Sequence, residues 1–313
     1  MPEQPIRIYD SHAHLISDDL DRYPRNVVKV EMAEFPKDSS FGPGVMGFPG
    51  GYHGPNPLNL KPTAEQLHGW MQEENVVGIA AVQKGLIYRT DNSYIVDAAN
   101  LFPDQMSAVI IIDPAEEKTL PMIRELSDRG VVGVRFFPTD LKIDKVAWLT
   151  SPASLAVWEL ADELGIIVDI EAPVTDQHLL IPLIEQMADR FPNLRIVLDH
   201  IFLPRVSDPD FGIGANYEGL AARDNISVKW TSLNMDTIHL KGFAPEDVLR
   251  RAVDFFGADK VMWGSDIGTS SGTYKEMIAR AHESMCYLTA DEKRKVLHDT
   301  GRRVFEKWNA DAE

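Results

Sequence analysis

A (β/α)8 barrel is the fold this chain predicts, and three observations predict it. Strand-like and helix-like segments alternate at the spacing of βα units, eight strand-like segments are present, and several of them end on polar side chains of matching chemistry. The strands are expected at residues 6–10, 77–83, 106–113, 131–137, 166–171, 195–199, 226–230 and 260–263. Residues 1–313 read as one barrel domain interrupted by a Gly/Pro-rich insertion at about 21–62.

Taken in order, the first strand leads directly into His12 and His14. Alternate side chains of an extended chain share a face, so these two imidazoles can grip one ion or one substrate. The insertion follows, with Phe41-Gly42-Pro43-Gly44 and Phe48-Pro49-Gly50-Gly51-Tyr52-His53-Gly54-Pro55, all dense in residues that break regular structure. A loop of that length in a compact domain is usually functional or disordered. Lying after strand one, it reads either as a lid over the barrel mouth, with Tyr52 or His53 reaching a substrate, or as an arm for subunit contact.

Thr63 and Gln66 form a capping-box signature for a helix running through Glu74. Lys84 follows strand two. Arg135 falls within the end of strand four, where pairing with an acidic neighbour such as Asp113 is the ordinary alternative to a binding role. Gly165 stops a helix at 155–164, and strand five closes on Glu171. Strand six, entered through Pro192-Asn193, closes on Asp199 and His200; Asp199 has the ordinary reading of a helix N-cap. Lys229 lies on strand seven, its plain alternative being a surface lysine on an alternating strand. Pro245-Glu246-Asp247 opens a helix that ends near Gly257. Strand eight breaks into Gly264-Ser265 before Asp266, and a single last helix is expected over 290–308, with Arg302, Arg303 and Lys307 near its end.

Composition narrows the function. A formal charge of −17 over 313 residues repels nucleic acid and anionic membrane, so the expected partner is a small molecule. No apolar run approaches the length of a bilayer span and the first residues lack a basic-then-apolar signal, which predicts a cytoplasmic protein. Self-association stays open. The one cysteine, Cys286, has no base evident beside it and is expected to be buried. An anionic substrate would need a local positive pocket, for which Lys84, Arg135 and Lys229 are the candidates, Arg135 through two parallel hydrogen bonds.

Asp10-Ser11-His12-Ala13-His14, Tyr88-Arg89-Thr90-Asp91-Asn92-Ser93, Gly133-Val134-Arg135-Phe136, Leu198-Asp199-His200 and Trp263-Gly264-Ser265-Asp266 together make a specific set. Over nearly the whole chain it resembles the amidohydrolase superfamily, within it the amidohydrolase-related branch of 2-pyrone-4,6-dicarboxylate lactonases and sugar lactonases. The resemblance implies a distorted barrel, hydrolysis or decarboxylation of small acids, and a site built from His12, His14, His200 and Asp266.

One departure bears on the metal. Metal-dependent decarboxylases of the superfamily carry a histidine at the end of strand five, where this chain has Glu171. Lactonases of the pyrone dicarboxylate type also lack it and are known for working without a divalent ion. Glu171 therefore either joins His12, His14 and Asp266 around a divalent metal, zinc foremost, or orients His14 or His200. The reaction expected is hydrolysis of a small carboxylated lactone, with Asp266 as general base and His200 polarising the carbonyl. Lys84, Tyr88, Arg89, Arg135, Lys229 and His53 are the expected substrate contacts. A metal-dependent decarboxylase of an aromatic or unsaturated acid is the alternative, and a barrel that binds without turnover is the non-catalytic one.

Overall fold

The computed structural model describes residues 6–27, 60–137, 144, 146–171 and 176–306. Eight parallel strands follow one another around a single sheet in chain order: β1 (Ile8–Ala13), β2 (Val76–Val82), β3 (Met106–Ile111), β4 (Val131–Phe136), β5 (Ile167–Ile170), β6 (Ile196–Leu198), β7 (Ile226–Thr231) and β8 (Val261–Gly264). All eight expected strands are present, and the fold is the (β/α)8 barrel. Helices α1 (Ala64–Glu73), α2 (Ser93–Leu101), α3 (Thr119–Ser127), α4 (Pro152–Leu164), α5 (Gln177–Arg190), α6 (Ser232–Leu240), α7 (Pro245–Phe256) and α8 (Tyr274–Ser284) lie between and after them.

Local chemistry explains the boundaries. The Thr63 hydroxyl accepts from Gln66 N and the Gln66 side chain returns the bond to Thr63 N, so α1 starts with two of its orphan donors satisfied. α4 starts on Pro152 behind the Ser151 cap and ends at Gly165, whose φ of 64° suits a residue without Cβ. The tail departs from the single helix expected: Ala290–Arg294 and Thr300–Phe305 are α-helical, but Lys295–Asp299 between them is a π-helical turn. Cys286 is exposed, not buried, because Met285 beside it takes the inward position just past α8. No described helix is long and apolar enough to cross a membrane. The proposed lid, with Tyr52 and His53, lies outside the described residues.

Two apolar layers hold the barrel. The outer layer packs strand faces such as Val134, Val168 and Val228 against helix residues such as Leu67, Trp158 and Leu249. The inner one, Tyr9, Ala80, Val82, Val109, Val132, Ile167, Val197 and Met262, fills the bottom of the barrel and is closed by Val304 and Phe305 from the tail. Side chains alternate along a strand, so the residues two further on face the same way. From Val82, Ile167, Val197 and Met262 that step leads to Lys84, Asp169, Asp199 and Gly264, and one more leads from Asp169 to Glu171 and from Gly264 to Asp266. An apolar floor thus carries a polar ceiling, set by parity alone.

Where β8 returns to β1 the contacts are particular. Asp266 N donates to His12 O (2.7 Å), His14 N to Ile267 O (3.0 Å), and Ser11 Oγ to Trp263 O (2.5 Å). The buried Asp10 carboxylate accepts from Ser265 N (2.8 Å), His12 N (3.1 Å) and Tyr274 OH (3.0 Å). Burial pushes this carboxyl up to about 6, against the pull of those donors. The strands approach so closely that a Cβ on Gly264 would stand 2.6 Å from His12 Cβ and 2.9 Å from His12 N. Gly264→Ala should therefore force the seam open and lower stability by about 1–3 kcal/mol, the usual cost of overpacking. Urea unfolding monitored by circular dichroism checks this; an unchanged midpoint would contradict the close approach.

Candidate active site

The seam brings the two ends of the chain's polar pattern together. His12 Nε2 and His14 Nε2 are 3.3 Å apart, and Asp266 Oδ1 stands 3.2 Å from His14 Nε2 and 3.6 Å from His12 Nε2. The three side chains are 4% exposed or less, so water does little to screen them. Asp266 adopts φ 51°, a left-handed conformation uncommon for residues with a side chain, and its Oδ2 accepts from Ser270 Oγ at 3.0 Å.

The protons on these rings follow from their partners. His14 Nδ1 is 2.8 Å from the carbonyl oxygen of Val82, which can only accept, so Nδ1 carries the hydrogen and Nε2 presents a bare lone pair. Burial, helped by nearby Lys84, lowers this imidazole to about 4. His12 Nδ1 lies 3.1 Å from Asp199 Oδ1 and 3.1 Å from Lys229 Nζ, a setting that accepts either tautomer. Burial holds His12 neutral as well, well below the usual histidine range. Burial would raise Asp266, yet His14, His200 and His12 hold it well below the usual carboxylate range. A cation bound beside Asp266 would add to that pull without requiring His12 or His14 to be protonated.

The donor set fits such an ion. Ligands about 2.0–2.1 Å from a tetrahedral zinc stand roughly 3.3–3.4 Å apart, close to the three separations between His12, His14 and Asp266. Backing of ligand histidines by a carbonyl or carboxylate, as Val82 and Asp199 back His14 and His12, is the usual accompaniment of metal ligation. His12, Asp199 and His200 form a second convergent group. Asp199 in that group is already neutralised by Arg135 and Lys229, which leaves little attraction for a second cation.

Several expected roles change on this geometry. Glu171 does not join the triangle: its carboxylate is held by Arg135 Nη2, because β4 and β5 are neighbours with both residues facing inward. Arg135 is buried, and its Nε and Nη2 also meet Asp199 Oδ2 at 2.9 and 2.6 Å, so the fork is occupied by protein carboxylates. Asp113, its supposed partner, caps Ala115 N in a turn instead. Lys229 is neither a surface lysine nor a substrate contact; it is fully buried, 2.6 Å from Asp169 Oδ2 and 2.8 Å from Asp199 Oδ1. Asp199 is no helix cap but the junction of His12, Arg135 and Lys229, and the Lys229 and Arg135 cations outweigh burial to keep it well below its usual range. Asp169 is pushed the other way, by burial and by Asp199 beside it. Its place inside an apolar strand, in phase with Arg135 and Lys229 on theirs, is the signal that could have revealed it.

A small cavity of ≈ 20 Å³, enough for one water, is lined by His14, Lys84, Phe137, Glu171, His200, Asp266 and Thr269. Lys84 thus falls where expected, and its Nζ donates to Thr269 Oγ1. Burial, with Arg135 nearby, lowers it to about 8 against the pull of Asp266 and Glu171. His200 also falls where expected, its Nδ1 2.7 Å from Thr231 Oγ1. Tyr88 and Arg89 do not reach this cavity. Tyr88 OH accepts from Ser17 N at 2.9 Å, and both line a separate outer cleft of ≈ 800 Å³ with Asp91, Asp113 and Glu116. His53 lies outside the described residues.

Comparison with known proteins agrees with this architecture. L-fucono-1,5-lactonase of Burkholderia ambifaria is 30% identical over 190 residues, which is 59% of this chain; the chain spans 63% of the length of that curated relative. A Pseudomonas putida protein solved as a candidate 2-pyrone-4,6-dicarboxylic acid hydrolase superposes with a TM-score of 0.69 at 21% identity, over 96% of this chain and 98% of that one. A Burkholderia multivorans amidohydrolase with bound zinc superposes at 0.67 and 16% identity, over 96% and 99%. Identities this low carry the fold and no more. The amidohydrolase family model, by contrast, matches residues 9–307, from the strand that bears the paired histidines to the tail that seals the barrel floor, and the chain belongs to the amidohydrolase family.

Proposed function

We propose that this protein hydrolyses a small lactone at the His12–His14–Asp266 end of the barrel. The observation that carries the reading is the convergence of Asp266 and His14, with His12 against both, at a water-sized cavity that Lys84 and His200 also line. It is supported by membership of the amidohydrolase family and by similarity to an L-fucono-1,5-lactonase.

Asp266, kept ionised, takes a proton from the water that attacks the lactone carbonyl, and returns it to the departing ring oxygen, leaving a hydroxy acid. His200, on the same lining, polarises the carbonyl once its cavity-facing Nε2 has taken up a proton, and the Lys84 ammonium holds a substrate carboxylate or hydroxyl. Among the described residues Arg135 and Lys229 are already matched by Asp199, Glu171 and Asp169, so the substrate carries at most one carboxylate near Lys84. His12, His14 and Asp266 would hold a divalent ion, zinc foremost, and when bound such an ion supplies a lowered water pKa and a polarised carbonyl. Arg135 and Asp199 act behind the lining and Glu171 on it, the three together keeping His12 and the β4–β6 strand ends in place.

The direct test is a panel of sugar and carboxylated lactones with hydroxy-acid product detection. Asp266→Asn should lower kcat by roughly 10²–10⁴-fold, the worth of a positioned general base, with the thermal unfolding midpoint nearly unchanged; full activity would overturn its role. Release of CO2 from an aromatic or unsaturated acid, with no lactone opened, would replace hydrolysis by decarboxylation.

Lys84 sets a pH dependence. Lowered to about 8, it is cationic below that pH and neutral above it, so KM for a carboxylated lactone should rise as pH passes 8 while kcat changes little. Lys84→Arg should remove that rise, because guanidinium stays charged throughout. Initial rates between pH 6 and 9.5, corrected for spontaneous hydrolysis, decide the matter; a KM indifferent to pH would remove Lys84 from binding.

A further inference from the structure

His200 belongs to a run of four residues, His200, Ile201, Phe202 and Leu203, with φ between 52° and 56°. None is glycine, and a residue with a Cβ adopts this left-handed conformation only when its surroundings hold it there. Buried side chains hold the run. Gln177 Nε2 donates to Leu203 O at 2.5 Å, Tyr217 OH donates to Phe202 O at 3.1 Å, and Asn234 Nδ2 donates to His200 O at 2.8 Å. The third of these does more than brace the backbone.

We propose that Asn234 is a positioning residue that sets the tautomer of His200. The proton assignment follows link by link from the heavy atoms. A backbone carbonyl only accepts, so the Asn234 atom facing His200 O is its NH2 group and the other is its carbonyl oxygen. That oxygen, 3.0 Å from both Thr231 N and Thr231 Oγ1, takes the Thr231 hydroxyl proton. With its proton committed, Thr231 Oγ1 can only accept from His200 Nδ1 at 2.7 Å. The loop closes on the residue where it began, and all three members are buried. No described residue bonds His200 Nε2, so with the hydrogen on Nδ1 it is the Nε2 lone pair that faces the cavity, and any second proton taken up during turnover is gained or lost there. Asn234 and Thr231 do not touch the substrate; they act through His200.

Two variants and one spectroscopic readout test this. In Asn234→Ala the Thr231 hydroxyl is free to donate to Nδ1, and the ring proton moves to Nε2. Thr231→Val removes the acceptor while Asn234 still holds the His200 carbonyl, and Thr231→Ser restores it. Ring 15N chemical shifts, with His200 assigned by difference from His200→Gln, should show Nδ1–H in the parent and in Thr231→Ser, and its loss in the other two. With the best lactone of the panel, kcat should fall about 10–100-fold in Asn234→Ala and Thr231→Val, with KM within roughly threefold, and recover in Thr231→Ser. Should Asn234→Ala fail to fold, the threonine pair carries the test alone. Retention of Nδ1–H in both loss variants, or a fall in kcat without any change of tautomer, overturns the proposal. The ring measurement uses no substrate, so a protein inactive on every lactone would refute the proposed reaction and leave this assignment standing.

Discussion

Two imidazole nitrogens and a carboxylate oxygen point at one another across 3.2–3.6 Å inside a barrel mouth nearly closed to water. His14 offers a lone pair, Asp266 a negative charge, and burial holds His12 neutral, leaving it at most one Nε2 hydrogen to share between the two. A cation seated among them would satisfy all three groups at once. The rest of the upper barrel is arranged for that condition, from the Val82 carbonyl that fixes the His14 tautomer to the Asp10 carboxylate that pins β8 against β1.

The ionic layer beneath the cavity points the same way. Arg135 and Lys229 face Asp169, Asp199 and Glu171, leaving an excess of carboxylate in a place where an uncompensated charge is costly. Asp169 shows the strain of that imbalance in its raised proton affinity. Among the described residues, Lys84 is the cation that lines the cavity with Asp266. A cation at the histidine pair would neutralise the excess, and Asp199, reaching His12 from below, ties the two layers into one electrostatic unit.

What could be read from the sequence divides along physical lines. Strand spacing, capping residues and the His12–His14 parity are local properties, so the eight strands, the α1 cap and the inward-facing Lys84, His200 and Asp266 emerged correctly. Partner choice is not local. Arg135 and Lys229 were placed on the right strands, but their occupation by Asp199, Glu171 and Asp169 depends on neighbouring strands lying in register. Alternation applied strictly to Val168-Asp169-Ile170 would have shown a carboxylate inside the barrel. No sequence rule predicts four left-handed residues without glycine at His200, nor that Tyr88 turns from the mouth to brace Ser17.

Elemental analysis of the protein purified without chelator tests the cation requirement most directly. The account predicts about one divalent ion per chain, retained through dialysis, removed by a strong chelator together with the activity, and lost in His14→Ala. Full turnover by protein shown to be metal-free would contradict it.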